Sequence, residues 1–218
     1  MARRLRGTAG LFKVGSQLFT AEGPRAVEKL ADLGFGIFLD LKFHDIPNTA
    51  AGAVASAADL PKVRMLTVHT LGGPAMMRAA AEAVAPKKKR PAVLGVTILT
   101  SHDAATLRSL GISGSPVSRA LALARLAKEA GLDGVVASAH EARAIRRACG
   151  RNFLIVVPGV RPASASMNDQ SRVATPTEAI RAGANYLVIG RPITAAANPR
   201  AAALAIAKEI ASATSRLR

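Results

Sequence analysis

The sequence predicts a parallel α/β barrel. Seven short runs rich in Val, Ile and Leu recur along the chain, as expected for strands buried on both faces of a parallel sheet. Helical segments that begin near Pro and end at Gly lie between several of these runs. No Gly-x-Gly-x-x-Gly turn, typical of open nucleotide-binding sheets, is present, and polar residues follow the strand ends. We therefore favour a TIM-type (β/α)8 barrel over an open doubly wound sheet.

The elements are expected in alternating order along the chain. The predicted strands are Leu11–Gly15, Ile37–Phe43, Met65–His69, Ala92–Thr100, Gly134–Ser138, Phe153–Val160 and Tyr186–Gly190. The clearest helical patterns are Pro24–Gly34, Pro116–Gly131 and Thr177–Gly183. No linker or low-complexity segment interrupts this alternation, so residues 1–218 are expected to form a single domain.

The predicted strands number seven, whereas a (β/α)8 barrel has eight. Residues 1–10 are basic and resemble the end of a helix, so the first strand is the one expected to be missing. Leu11–Gly15 should then take the second barrel position, with a free edge facing the free edge of Tyr186–Gly190. Because exposed strand edges favour aggregation, we expect the natural start to lie further upstream.

Charge and cysteine content limit the classes of partner. Lys and Arg number 30 against 14 Asp and Glu, a net charge of +16 that favours anionic ligands. Aromatic platforms for single-stranded nucleic acid are scarce, with no Trp and one Tyr, so nucleic acid is not an expected partner. The single Cys149 excludes an intrachain disulfide and fits a reducing cytoplasm. No apolar run is long enough to cross a bilayer, so no membrane partner is expected.

The segment from residue 38 to residue 49 carries the strongest chemical signal. It reads Phe-Leu-Asp-Leu-Lys-Phe-His-Asp-Ile-Pro-Asn-Thr. Asp40 and Lys42 are two residues apart on a predicted strand, so both should point to one face, while Leu39, Leu41 and Phe43 face the helices. Charges on the inner face of a barrel are costly unless they are paired. The pattern indicates an active-site pair, and a purely structural ion pair remains the alternative.

This segment resembles the signature of the orotidine 5′-phosphate decarboxylase family. Further similarities follow in order along nearly the whole chain, and their joint order is more specific than any one motif. They are Phe12–Gly15, Thr67–Gly73, Val96–Thr100, Pro158–Arg161, Asn168–Gln170 and Val188–Ile193.

The resemblance implies a carboxy-lyase that converts orotidine 5′-phosphate to UMP and CO₂ in pyrimidine biosynthesis, without a metal or other cofactor. Lys42 is implied as the proton donor to C6 of the pyrimidine and Asp40 as the neighbour of the substrate carboxylate. Lys13 and Asp45 complete a Lys–Asp–Lys–Asp network. The remaining implied substrate-binding residues are Thr49, Thr100, Arg161, Gln170 on a closing loop, Gly190, and Arg191 on the phosphate.

The resemblance also implies a homodimer with shared active sites, in which Asp45 and Thr49 reach the neighbouring subunit's site. His44 and His69 are interpreted as supporting residues rather than general bases. Three alternatives stay open: a Mg²⁺-dependent sugar-phosphate decarboxylase or aldolase of the same barrel type, a basic nucleic-acid-binding barrel, and an inactive form that lacks the first strand and its ribose-binding Asp.

Overall fold

Seven parallel strands form one sheet in chain order, each hydrogen-bonded to the next, and curl into a nearly closed barrel. The computed structural model that shows this arrangement describes residues 1–162 and 174–215. The strands are β1 (Leu11–Gly15), β2 (Gly36–Phe43), β3 (Val63–His69), β4 (Ala92–Val96), β5 (Gly134–Val136), β6 (Leu154–Pro158) and β7 (Tyr186–Val188). The α/β barrel and its seven-strand count are confirmed.

Helices connect successive strands, and two further helices follow β7. They are α1 (Ser16–Glu22), α2 (Arg25–Asp32), α3 (Pro47–Asp59), α4 (Gly73–Val84), α5 (Ala104–Ser109), α6 (Pro116–Glu129), α7 (Ala139–Cys149), α8 (Pro176–Arg181), α9 (Arg191–Thr194) and α10 (Pro199–Ser215). Side-chain caps start several of them: the Ser118 N–H donates to the Ser115 hydroxyl, and Thr175 forms a capping box with Glu178. Within the part of the chain described, no helix combines the length and apolar character needed to cross a bilayer.

The two faces of the sheet build separate apolar clusters. Ile37 and Leu39 of β2 are fully buried and belong to the large cluster between sheet and helices. Phe38, between them, points to the barrel interior and packs with Met65 and Leu94 of the neighbouring strands. This alternation is the period of two that a parallel barrel strand requires. It brings the side chain of Asp40, two residues after Phe38, to the inner face.

The seam of the barrel lies between β1 and β7. Among the described residues, β1 pairs only with β2, and β7 only with β6, as the sequence predicts. Residues 1–10 supply no strand there; Ala2–Leu5 is a short 3-10 helix that contacts α10. A cavity of about 400 Å³ opens along the seam and includes apolar side chains such as Leu11, Val156 and Val188.

Several strand ends differ from the prediction. The structure ends β4 at Val96 rather than Thr100, β5 at Val136 rather than Ser138, β6 at Pro158 rather than Val160, and β7 at Val188 rather than Gly190. The apolar sequence pattern extends beyond the hydrogen-bonded part of each strand because the residues that follow are also buried, such as Ile98 at 3% and Val160 at 2% exposure. The sequence also gives no signal for α1, since none of its residues is buried.

Candidate active site

Three charged side chains meet where β1 and β2 end. The Lys42 ammonium donates a hydrogen bond to Asp40 Oδ1 at 2.9 Å, and the Lys13 Nζ lies 3.5 Å from Asp40 Oδ2. The Asp40 side chain is 13% exposed, whereas those of Lys13 and Lys42 are 38% and 35% exposed. The carboxylate is therefore enclosed by two ammonium groups that both reach solvent.

Gly15 makes room for one of these cations. Gly15 is the last residue of β1 and pairs in register with Asp40. A Cβ at Gly15 would lie 2.6 Å from the Lys13 Nζ, closer than carbon and nitrogen can approach. The missing side chain thus lets the Lys13 ammonium fold over the strand end toward Asp40.

The backbone of β2 is irregular at the lysine. Leu39 pairs with Leu66 and Phe43 pairs with Val68, so residues 40–42 of β2 face a single β3 residue, Thr67. Lys42 has φ 54°, in the left-handed region that non-glycine residues seldom adopt. A bulge of this kind re-aims a side chain at the end of a strand. Asp40 and Lys42 share the inner face as predicted, although β2 is not a regular strand between them.

Two histidines stack beside this cluster. The rings of His44 and His69 are 5.3 Å apart and inclined by 20°. His69 Nδ1 accepts a hydrogen bond from the Leu71 N–H at 3.3 Å. Burial lowers the pKa of His69 to about 4, and the charges of His44 and Lys42 add to the effect. His69 is therefore neutral at physiological pH, and its protonated nitrogen is Nε2.

Asp45 and Thr49 lie on an exposed segment that follows β2. All residues from 44 to 49 are exposed, and the Asp45 carboxylate accepts the Ile46 N–H at 2.7 Å. Within the described ranges, no ion pair joins Asp45 to Lys13 or Lys42. The single chain therefore brings together three of the four charges in the expected network and leaves Asp45 pointing outward.

The other expected substrate-binding residues follow later strands. Thr100 is half-buried, four residues beyond β4, and Arg161 is 6% exposed, three residues beyond β6. Gly190 and Arg191 are exposed, two and three residues beyond the end of β7. Gln170 lies outside the described residues. The four described members of this set all follow strand ends on the same side of the barrel as Asp40.

Thr67 and Gly15 are the contributors that sequence reasoning missed. Thr67 accepts the Lys42 backbone N–H at 2.9 Å and donates to Asp40 Oδ1 at 3.1 Å. The signal for it was present: a hydroxyl in the apolar strand Val63–His69 needs a hydrogen-bond partner when it is buried. For Gly15, no signal in the sequence indicates that a lysine two residues earlier folds back over it.

The arrangement suits an anionic substrate. Two cations face one carboxylate, so the cluster is net positive, and each ammonium keeps N–H donors beyond those that Asp40 accepts. An ammonium held in a partly dehydrated site can stabilise a developing negative charge and deliver a proton to it. An α/β barrel with such a cluster at the ends of its strands is typical of the class of enzymes that act on anionic small molecules.

Comparisons with known proteins narrow this class. The chain belongs to the orotidine 5′-phosphate decarboxylase / HUMPS family, whose model matches residues 1–206. An orotidine 5′-phosphate decarboxylase of Halorhodospira halophila is 58% identical over 201 residues, which cover 92% of this chain and 85% of the relative. One of Nitrosococcus oceani is 54% identical over 210 residues, covering 96% and 90%.

A solved structure agrees with this assignment. The crystal structure of orotidine 5′-phosphate decarboxylase from Lactobacillus acidophilus superposes with a TM-score of 0.80 at 39% identity. The match covers 91% of this chain and 85% of that one. The family resemblance inferred from the segment 38–49 is confirmed, and so is the barrel.

Proposed function

We propose that this protein decarboxylates orotidine 5′-phosphate to UMP and CO₂, with Lys42 as the acid that protonates C6 of the pyrimidine. The observation that carries the proposal is the Lys42 ammonium, held 2.9 Å from Asp40 at the open end of the barrel. Relatives described as orotidine 5′-phosphate decarboxylases, at 54–58% identity over most of the chain, support it.

The chemistry demands a cation at this place. When the bond between C6 and the carboxyl carbon breaks, its electron pair stays on C6 in the plane of the ring, where no π system delocalises it. The Lys42 ammonium stabilises that pair and then transfers its proton to C6, and the lysine later regains a proton from solvent. Asp40 orients the ammonium by accepting its hydrogen bond at Oδ1. Lys13 neutralises the second oxygen of Asp40 when the substrate carboxylate arrives.

The phosphate is bound far from the reacting bond. We assign Arg161, Gly190 and Arg191 to the pyrimidine and phosphate end of the site, with Arg191 on the phosphate itself. Thr100 and Gln170 complete the substrate contacts in this proposal. Guanidinium groups suit phosphate because their planar donors match its oxygens. Binding energy from the phosphate can then offset the cost of ordering the reacting end of the substrate.

We also propose a homodimer with composite sites. Asp45 and Thr49 lie on the exposed segment 44–49, where Ile46 is 67% exposed. An apolar side chain so open to solvent beside a charged one fits a surface that a second copy covers. In the dimer, Asp45 supplies the fourth charge of the partner's network. A cytoplasmic location is part of the proposal and is supported by the free thiol of Cys149.

The activity is tested directly with purified protein. The protein is produced in a host whose own gene for this activity is deleted, and orotidine 5′-phosphate consumption, UMP and CO₂ are measured together. We expect equal amounts of both products, unchanged by EDTA. No turnover would contradict the proposal, and activity that EDTA abolishes would favour the Mg²⁺-dependent alternative.

The composite site is tested by mixing inactive subunits. Lys42→Ala and Asp45→Ala proteins are each assayed alone and after subunit exchange. Random pairing makes half of the dimers mixed, each with one intact site, so about a quarter of wild-type activity should return. No recovery after confirmed exchange would show that Asp45 acts within its own subunit.

A further inference from the structure

We propose that Thr67 is a positioning residue for the Asp40–Lys42 pair, its hydroxyl replacing the backbone acceptor that the β2 bulge removes. This inference rests on the proposed function, because it assigns Thr67 a part in the same site. Thr67 lies on β3, is fully buried, and points to the barrel interior two residues beyond Met65.

The register explains why such an acceptor is needed. In a regular parallel ladder, the N–H groups of β2 alternate between partners on the two neighbouring strands. Because three residues of β2 oppose one residue of β3, the ladder is broken between Leu39 and Phe43. The Lys42 N–H, in left-handed backbone, instead meets the Thr67 hydroxyl oxygen at 2.9 Å. A buried N–H without an acceptor would be destabilising.

The directions of the hydrogen bonds follow from the partners. A backbone N–H can only donate and an ionised carboxylate can only accept, whereas a hydroxyl does both. Thr67 therefore accepts from Lys42 N and gives its single proton to Asp40 Oδ1, 3.1 Å away. The Lys42 ammonium reaches the same Oδ1 at 2.9 Å. One hydroxyl thus links the backbone of the lysine to the carboxylate that binds its ammonium.

This link determines how the carboxylate is shared. With Oδ1 engaged by Thr67 and Lys42, Oδ2 faces Lys13. A rotation of the carboxylate plane away from this orientation would lengthen its contacts with both lysines and move the Lys42 ammonium from its place. The Thr67 hydroxyl contacts Asp40 and the Lys42 peptide, so we infer that it acts on the chemistry indirectly, through the orientation of these two groups.

A valine isolates the hydroxyl. Thr67→Val keeps the branched shape in the apolar strand but removes both hydrogen bonds, and Thr67→Ser restores the hydroxyl. Thr97→Val is the matched control: its hydroxyl is equally buried but donates to the Val136 carbonyl, which the Thr97 N–H also reaches. If the valine variant does not fold, Thr67→Ala against Thr67→Ser makes the same comparison.

Kinetics are the first measurement. We expect Thr67→Val to lower kcat by about 10- to 100-fold, the usual effect of losing a hydrogen bond to a charged group. KM should stay within about threefold, because the lost orientation acts in the transition state. The serine variant should recover most of kcat, and Thr97→Val should stay near wild type. A kcat of Thr67→Val within about twofold of an active wild type would overturn the proposal.

Crystal structures of the Thr67 variants are the second measurement, and they decide the matter even if the wild type shows no turnover. We expect the valine variant to lose the contact between the Lys42 ammonium and Asp40 Oδ1, and the serine variant to keep it. An unchanged Lys42 backbone and Asp40 carboxylate in the valine variant would contradict the inference. An inactive wild type with the expected structural change would overturn the proposed function alone.

Discussion

The two ends of the barrel use charge in different ways. Where the strands begin, Arg146 of α7 donates to the backbone carbonyls of Gly150, Phe153 and Gly183 at 2.6–2.8 Å. Where the strands finish, Lys13 and Lys42 share the single carboxylate of Asp40. The first cation is surrounded by fixed acceptors within the fold, whereas among the described residues the other two have Asp40 as their one ion-pair partner.

A second ion pair at the beginning of the strands follows the same rule. Arg90 binds Asp133 through two hydrogen bonds of 2.7 Å, and Asp133 also accepts the Val93 N–H at 2.8 Å. Such a pair has little left to offer a ligand, so it stabilises the loops that feed β4 and β5. We therefore propose that the saturation of hydrogen-bonding groups, rather than charge itself, distinguishes the structural ions from the proposed catalytic ones in this barrel.

Apart from the loss of Lys42 itself, the largest expected effect is at Asp40. Asp40→Ala leaves Lys13 and Lys42 facing each other without their common anion, so the Lys42 ammonium is neither oriented nor balanced. We expect kcat to fall by about 10²- to 10⁴-fold, the range for a group that acts on proton transfer. Steady-state kinetics with orotidine 5′-phosphate measure it, and Asp32→Ala on the exposed end of α2 is the control. If Asp40→Ala kept its turnover, the charged residues where the strands finish would be structural, like those where the strands begin.

Arg146 should show the opposite behaviour. Arg146→Met keeps the aliphatic stem but removes the hydrogen bonds to the carbonyls before β6 and β7. We expect a loss of about 2–3 kcal/mol in the free energy of unfolding, measured in urea, because the part-buried carbonyls of Phe153 and Gly183 lose a charged donor. The kcat of the folded variant should not change. A large fall in kcat without loss of stability would show that Arg146 acts in catalysis, and it would contradict the proposed difference between the two ends of the barrel.

A Gly15 variant tests whether activity depends on the position of the Lys13 ammonium beside Asp40. Gly15→Ala places a methyl group against the Lys13 ammonium, which must move away from Asp40. Because only the tip of a flexible side chain is displaced, stability should change by less than about 1 kcal/mol while kcat/KM falls about tenfold. Gly52→Ala in α3, where a Cβ meets nothing within 4 Å, is the control. Equal activities for the two variants would show that the position of Lys13 does not matter.

The smallest effect concerns pH. The pKa of His69 is lowered to about 4, against 6.5 for an ordinary histidine. Between these values the unfolded chain binds a proton that the folded chain does not, so the free energy of unfolding falls as pH falls. His69→Asn keeps an acceptor for the Leu71 N–H but cannot be protonated, so less stability should be lost between pH 7 and pH 5.

Urea denaturation at the two pH values measures this difference. His140→Asn on the exposed surface of α7 controls for the loss of a histidine. A wild-type protein and a His69→Asn variant that lose equal stability over this pH range would contradict the expected state of His69.

Much of the fold and part of the site could be predicted from the sequence. Continuous apolar runs located all seven strands, and the spacing of Asp40 and Lys42 placed them on one face. The bulge at Lys42 was not predicted, because it depends on how many residues of β2 oppose Thr67, a property of the pairing between two strands. The role of Asp45 could not be read from one chain, since its expected partner lies in another.

We propose that Lys42, at the end of β2, acts in catalysis. Arg146 and the Arg90–Asp133 pair, whose hydrogen-bonding groups are satisfied within the protein, stabilise the fold. The most direct test measures kcat and the free energy of unfolding together for Lys42→Ala. Lys29→Ala, which removes an exposed lysine paired with Glu22, is the control. We predict that Lys42→Ala lowers kcat by several orders of magnitude and leaves stability within about 1 kcal/mol of wild type. Substantial residual turnover, or loss of activity only in proportion to unfolding, would contradict the account.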